Sequence, residues 1–554
     1  MQILLYDTTL RDGTQREGLS LSCEDKLKIA RELDELGVHY IEGGWPGSNP
    51  KDAEFFQRVG KLNLRHAKVA AFGSTRHARH TCDTDPNIQA LVASQTPVVT
   101  MFGKSSVLHV EKVLETTREE NLRMIGDSVA YFKQLGKEVI YDAEHFFDGY
   151  KLDADYALAT ITVAAEAGAD IIVLCDTNGG SLPDEVGRIV AHVRDELETR
   201  RRGDKEWRRQ GDTEQHHDSI SPSPLLPFSS SPQLGIHTHN DGALAVANAI
   251  AAVQAGCVHV QGTINGYGER CGNMDLVPLI ANLQLKLGYE CVDEEQLRGL
   301  SAVSHYVAAV ANLNPDTHAP YVGRSAFSHK GGVHVAAVAK VPDSYQHIEP
   351  ALVGNELRVV VSELSGRGNV RMRAESLGLK LNGNERAVLE QIKQLENRGF
   401  QFEAAEGSFE MLVRRTAPDY QPPFELLDFT VVVSKHGMTD SVAQAMVKLK
   451  IGERVMHTAA EGDGPVNALD QAIRKALMPH YPRLAEVKLV DYKVRIVDEH
   501  LGTAAKPRVV IESACGDERW STVGCSDDII EASWLALWDS LELPLLRWQE
   551  HVTR

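Results

Sequence analysis

Arg11 and Asp12 stand side by side at the end of a short apolar run, Gln2 to Tyr6, in the segment LYDTTLRDGTQREG. Far downstream, Leu234-Gly-Ile-His-Thr-His-Asn-Asp-Gly242 carries His237 and His239 at i and i+2. Side chains two apart in a strand share one face, so both imidazoles reach one ion. A carboxylate and two imidazoles that leave positions open make a catalytic divalent-metal site, suited alike to Mg²⁺, Mn²⁺ or Zn²⁺. Asn273, in Gly266-Tyr-Gly-Glu-Arg-Cys-Gly-Asn273, is placed to complete that shell directly or through a water. Arg11 beside a ligand stabilises negative charge growing on a carbonyl oxygen; its plainer role is a salt bridge to Glu42 or Glu144. Glu144, in Asp142-Ala-Glu-His145, reads as an orienting group or a substrate contact, and Thr177 as a hydroxyl donor for a substrate carboxylate. His329 and His334, in Ala326-Phe-Ser-His-Lys-Gly-Gly-Val-His334, lie outside this pattern, and by spacing alone a structural role is the better reading.

These residues need a scaffold that brings separate segments to one rim. Eight strand-like runs alternate with helical stretches: Ile3–Tyr6, His39–Glu42, Lys68–Phe72, Val98–Phe102, Val139–Asp142, Ile171–Cys175, Leu234–His237 and Val258–Gly262. Glu24–Leu36, Asp155–Gly168 and Ala243–Ala255 are among the helical stretches. Eight βα repeats in this length predict a TIM (β/α)8 barrel, whose chemistry sits at the C-terminal ends of the strands. The polar residues follow that rule. Arg11 and Asp12 come after the first run, Glu42 ends the second, and Glu144 follows the fifth. Asp176, Thr177 and Asn178 follow the sixth, the histidines end the seventh, and Glu269 and Asn273 follow the eighth. An open doubly wound sheet would instead place a Gly-rich fingerprint at its first turn. That turn here is Arg-Asp-Gly.

With 554 residues, two to four domains are expected. The barrel is assigned to 1–285. Residues of about 200–233 read as a disordered insertion, first charged and then Ser/Pro-rich, on the face away from the rim; the His216-His217 pair inside it has no flanking ligands. Residues 286–425 read as helical linker subdomains with long loops. Residues 426–554 read as a C-terminal α+β regulatory or dimerisation domain of two related βββα units. Its runs are Leu427–Ser434 and Ser441–Leu449, then a helix striped by Val466, Leu469, Ile473 and Leu477. They are echoed by Leu489–Val497, Arg508–Ser513 and a helix over Asp528–Leu541. A net charge of −19 argues against nucleic-acid and anionic-membrane partners. Eight scattered cysteines with no CxxC argue against disulfides and structural zinc, hence a reducing compartment. With no run of membrane length and no leader pattern, a cytoplasmic protein is expected.

Taken together, the Arg-Asp-Gly opening, the His-x-His strand, the Gly-Glu-Arg-x-Gly-Asn loop, the Gly-Gly-Val-His segment and the doubled C-terminal unit resemble the isopropylmalate/homocitrate/citramalate synthase family over nearly the whole chain. Within it, Ile41-Glu-Gly-Gly-Trp-Pro-Gly-Ser-Asn-Pro50 and Val98-Val-Thr-Met-Phe-Gly-Lys-Ser105 are similar to citramalate synthases of the long type. The resemblance implies an acyltransferase that condenses acetyl-CoA with pyruvate on a metal held by Asp12, His237 and His239. It further implies catalytic roles for Arg11, Glu144, Glu269 and His334, the last donated from a neighbouring subunit of a homodimer. Phe72, Val99, Asp142 and Thr177 are expected around the acceptor, and isoleucine as feedback inhibitor at the C-terminal domain. Three readings compete. One is an isopropylmalate or homocitrate synthase, although no cation stands ready for a distal carboxylate. Another is a lyase on 3-hydroxy-3-methylglutaryl-CoA, kept open by Cys271. The last is a metal-free amino-acid sensor, which would have no use for the Asp/His/His set.

Overall fold

In the computed structural model all eight expected strands close, in chain order, into one parallel barrel. They are β1 (Leu4–Asp7), β2 (Tyr40–Gly44), β3 (Lys68–Ser74), β4 (Val98–Lys104), β5 (Glu138–Glu144), β6 (Ile171–Asp176), β7 (Gln233–Thr238) and β8 (His259–Gly262). Closure is made by β8 pairing with β1, Leu4 opposite His259 through Asp7 opposite Gly262. The structure describes residues 1–211, 232–435, 437, 440–497 and 499–553.

Alternation along the strands sorts side chains between two cores. Tyr6, Tyr40, Ala70, Val98, Ile140, Ile171, Val173 and Cys175 fill the lumen. Their neighbours Leu5, Ile41, Ala71, Val99, Tyr141, Ile172, Leu174 and Ile236 face outward into the layer under the helices. The helices start where the sequence supplies caps. Ser22 and Asp25 form a capping box at Cys23–Leu36, which ends at Gly37 with φ 86°. Asn49 and Asp85, each followed by Pro at the first helical position, cap Pro50–Val59 and Pro86–Ala93.

The expected insertion is only partly described. A single helix runs Pro183–Gly211, so the charged stretch from 200 to 211 is helical and not disordered. Its run of Arg, Asp, Glu and Lys residues has good helix propensity and needs no buried face to continue an established helix. Residues 212–231, with the His216-His217 pair, lie outside the described residues.

The chain divides into two compact units, Met1–Phe327 with Ile348–Glu356, and Ser328–His347 with Leu357–Arg554. The stretch expected as linker, 286–425, is therefore shared between them. The helix Leu300–Val310 belongs to the barrel unit and packs on Cys23–Leu36. In the second unit, β9 (Ser328–His329) pairs with β10 (Arg358–Val359). Helices Arg367–Ser376, Glu385–Asn397 and Glu406–Arg415 enclose Val370, Val388, Ile392 and Phe409. Two antiparallel three-stranded sheets follow, each covered by its own helix. The first is β11 (Glu425–Ser434), β12 (Val442–Ile451) and β13 (Arg454–Gly462) under Pro465–Leu477. The second is β14 (Lys488–Ile496), β15 (Pro507–Cys515) and β16 (Glu518–Cys525) under Ile529–Thr553. Leu469, Ile473, Trp534 and Leu537 are buried in their shared core. Strand β13 was not among the expected runs, because no position along it is fully buried and its sequence carries only a shallow alternation. Among the described residues no helix is long and apolar enough to cross a membrane.

Candidate active site

The first βα turn is built to hold Arg11 and Asp12 still. Asp7 accepts from the Thr9 backbone N–H (2.9 Å) and hydroxyl (2.8 Å), and Thr9 Oγ1 in turn accepts from Ile264 N (2.9 Å), tying this turn to the end of β8. Asp12 then faces the end of β7. Its Oδ2 lies 3.4 Å from His237 Nε2, and His237 Nε2 lies 3.3 Å from His239 Nε2. One ligating atom from each of the three lies within 4.8 Å of the others, and all three residues are buried. Asn273 Nδ2 donates to Asp12 Oδ2 at 2.8 Å, while its own Oδ1 and the Nδ1 of His239 have no hydrogen-bond partner.

Electrostatics at this cluster keep its donor atoms deprotonated at Asp12 and His239. Burial alone would raise the Asp12 carboxyl, but Arg11 and the two imidazoles outweigh it and hold it down at about 2. Burial, with His237 close by, pushes His239 down to about 3, so it presents a lone pair at neutral pH. Two imidazole nitrogens therefore converge on an ionised carboxylate. Such a donor set fits a divalent ion of borderline or hard character.

Arg11 is clamped from two sides. Its Nε donates to Glu42 Oε1 at 2.5 Å, and its Cζ lies 3.7 Å from the centroid of Phe72. Glu42 is fully buried, and it also accepts from Thr8 Oγ1 and Tyr6 OH, each at 2.6 Å. Beyond these residues lies a cavity of about 230 Å³. One wall is aromatic. Trp45 meets Phe72 and Phe102 edge-on, with centroids 5.9 and 5.7 Å away, and Phe72 stacks on Phe102 at 5.4 Å. A bulge in β2 delivers Trp45 to the mouth, since the register with β3 slips between Glu42 and Gly44. Asp52 accepts from Trp45 N at 2.9 Å, and Gly44 (φ 145°) leaves room for it: a Cβ there would sit 2.4 Å from the Asp52 carboxyl. On the outer edge Trp45 Nε1 donates to Asn87 Oδ1 at 2.7 Å.

The opposite wall carries Asp142, Glu144 and Thr177. Burial, then the nearby Glu42, raises the Asp142 carboxyl well above its ordinary range. Glu144 is paired with Lys104. Thr177 Oγ1 accepts from His145 N at 2.8 Å, which leaves its own proton to donate. Glu269 stands at the rim, largely exposed, 3.6 Å from Arg270.

One expectation comes out differently. Val99 does not line the cavity: it is fully buried in the layer under the helices, and Thr100 and Phe102 take the inward positions of β4. The run VVTMF is buried on both faces, so composition gave no parity. His334 belongs to the second unit, where it is exposed and stacks on Tyr345 at 4.3 Å. Site residues that spacing did not flag are Tyr6, Thr100, Phe102, Lys104 and Gln261. For Gln261 a signal existed, namely a lone amide inside the strand His259–Gly262.

The HMGL-like family matches residues 2–205 and 226–303, the homocitrate synthase post-HMGL domain-like family residues 321–399, and the LeuA allosteric (dimerisation) domain residues 403–544. An (R)-citramalate synthase from Geobacter sulfurreducens is 49% identical over 99% of this chain and 98% of its own. Another from Synechocystis is 50% identical over 98% and 96%. The chain belongs to the (R)-citramalate synthase family. A 2-isopropylmalate synthase from Bacillus anthracis is similar at only 29% identity over 96% of each chain. The (R)-citramalate synthase family is thus matched from the barrel through the LeuA domain, which brings a dimerisation and allosteric module with it.

Proposed function

We propose that the barrel condenses acetyl-CoA with pyruvate and hydrolyses the resulting thioester, releasing CoA and (R)-citramalate, as the entry step of a threonine-independent route to isoleucine. The observation that carries this reading is the small cavity closed by Trp45, Phe72 and Phe102 directly above Arg11 and the Asp12/His237/His239 cluster. Its aromatic wall suits an acceptor with a small apolar side chain.

Asp12, His237 and His239, with Asn273 beside them, would hold a divalent metal, which when bound supplies Lewis-acid polarisation of the 2-oxo group. Arg11 faces the developing oxyanion with a guanidinium already fixed by Glu42 and Phe72, so no reorganisation is needed during reaction. Thr177 donates its hydroxyl to the acceptor carboxylate. Glu269 and His334 are assigned to proton transfer, and Glu144, paired with Lys104, to orienting the acceptor. A methyl proton of acetyl-CoA is removed, the new bond joins that carbon to C2 of pyruvate, and the C2 oxygen takes up a proton. Water then cleaves the thioester. His334, in the second unit, is assigned to the site of a neighbouring subunit in a homodimer. The LeuA-type domain is assigned isoleucine as its feedback ligand.

The test is CoA release by the purified protein with acetyl-CoA and Mg²⁺ or Mn²⁺, across pyruvate, 2-oxobutyrate, 2-oxoisovalerate and 2-oxoglutarate. A clear preference for pyruvate is expected. A preference for 2-oxoisovalerate would overturn the acceptor assignment.

A further inference from the structure

Gln261 sits on β8 with its side chain in the lumen, 1% exposed, and joins two groups that do not touch each other. Its Oε1 lies 2.9 Å from His237 Nδ1, and its Nε2 donates to Asp142 Oδ1 at 3.0 Å. We infer that Gln261, pinned by Asp142, is a positioning residue that fixes the proton of His237 on Nδ1 and so bares Nε2 for the metal; the inference rests on the metal-site reading above.

A carboxamide has one end that only accepts and one that only donates. Asp142 offers an accepting oxygen in either protonation state, and it holds the NH₂ end. The carbonyl end must then face His237 Nδ1, and it is satisfied only if that nitrogen carries the proton. His237 Nε2 is left bare, pointing at Asp12 and His239. If the amide turned round, its NH₂ would face Nδ1, the proton would move to Nε2, and the imidazole would cease to be a ligand. His239 has no equivalent device, because its Nδ1 has no partner. One of the two imidazoles is therefore set in advance and the other is free to adapt. Outer partners of this kind typically govern about 10- to 100-fold in metal affinity.

The choice of an amide also matters. It passes no full negative charge to the imidazole, so a bound ion stays more electrophilic than it would beside a carboxylate-backed histidine.

The experiment measures Mn²⁺ affinity of the metal-stripped full chain by calorimetry, for the unaltered protein and for Asp12→Asn, Gln261→Met, Gln261→Glu and Asp142→Ala, with each variant's melting temperature recorded. Gln261→Met, nearly equal in volume, removes both bonds; a loss of about 10- to 100-fold is expected. Gln261→Glu keeps an acceptor for Nδ1–H and is expected to bind within about threefold of the parent or more tightly, but to turn over more slowly. Asp142→Ala frees the amide to reverse and is expected to lose affinity too, so the inference stays testable should Gln261→Met not fold. A role in packing alone predicts the opposite order, with Met tolerated and Glu not, since the latter sets a second carboxyl against Asp142. Parent-like affinity in Gln261→Met, or equal losses in the Met and Glu variants, overturns the inference while leaving the metal site intact. If the unaltered protein binds no Mn²⁺, or Asp12→Asn binds it unchanged, the metal-site reading falls and this inference with it.

Discussion

Arg11 Cζ lies 3.7 Å from the centre of the Phe72 ring while its Nε is held by Glu42 at 2.5 Å. The cation is thus placed by a ring and a carboxylate that belong to two different strands. A lysine at this position keeps the charge but loses the planar fork and the stacking. Arg11→Lys is expected to lower kcat by about 10²- to 10³-fold, the usual scale for one oxyanion donor, with metal affinity nearly unchanged. Near-normal turnover would remove Arg11 from oxyanion stabilisation.

Trp45 packs edge-on against Phe72 and Phe102 in the wall of the cavity proposed for the acceptor. Trp45→Leu is expected to raise kcat/KM for 2-oxobutyrate relative to pyruvate by about tenfold, since one methylene is worth only ~1–3 kcal/mol in discrimination. Asn87→Ala, which frees the indole N–H, is expected to shift the ratio in the same direction by less. Paired initial-rate measurements with the two acids decide it; an unchanged ratio in both variants means the wall lies elsewhere.

His259 is fully buried between the rings of Tyr6 and Tyr40, at 5.3 and 5.6 Å, with both ring nitrogens unpartnered. Burial holds it neutral, with its pKa pushed down to about 3. In the unfolded chain it protonates near its ordinary value of about 6.5, so between those values the unfolded state binds the extra proton. Its contribution is therefore fully present at neutral pH and is lost as pH falls through that window. His259→Leu is expected to flatten the drop in melting temperature from about pH 7 to about pH 4, measured on metal-stripped protein. An identical slope in parent and variant would assign acid sensitivity to other groups.

His334→Ala is expected to cut turnover by about 10²- to 10⁴-fold, the scale of a lost general acid or base, while Mn²⁺ and pyruvate still bind. Turnover within a factor of a few of the parent would leave His334 stacked on Tyr345 for structural reasons only.

Much of this was legible because apolar runs ended in polar residues. Asp12, His237 and His239 each lie at or just beyond the end of an apolar run read as a strand, and a closed barrel brings such ends together. What remained hidden depends on facing and on irregularity. Val98 and Val99 are equally apolar and equally buried, and only the register with β3 and β5 shows which one faces the lumen. Trp45 reaches the mouth through a bulge, which no periodicity encodes. Gln261 was visible as a polar intruder, but its partner Asp142 lies three strands away. The helix through residues 200–211 continues one already nucleated from Pro183, so its local charge was a poor guide.

The candidate metal ligands and the aromatic wall occupy different arcs of the barrel. Asp12, His237, His239 and Asn273 come from β1, β7 and the loop after β8; Trp45, Phe72 and Phe102 come from β2, β3 and β4. An ancestor could therefore exchange one 2-oxo acid for another by substitutions at Trp45 and Phe102, leaving the Asp12/His237/His239 cluster and the Glu42 and Phe72 clamp on Arg11 in place. Trp45 and Phe102 are therefore the positions to randomise in a laboratory search for new acceptors.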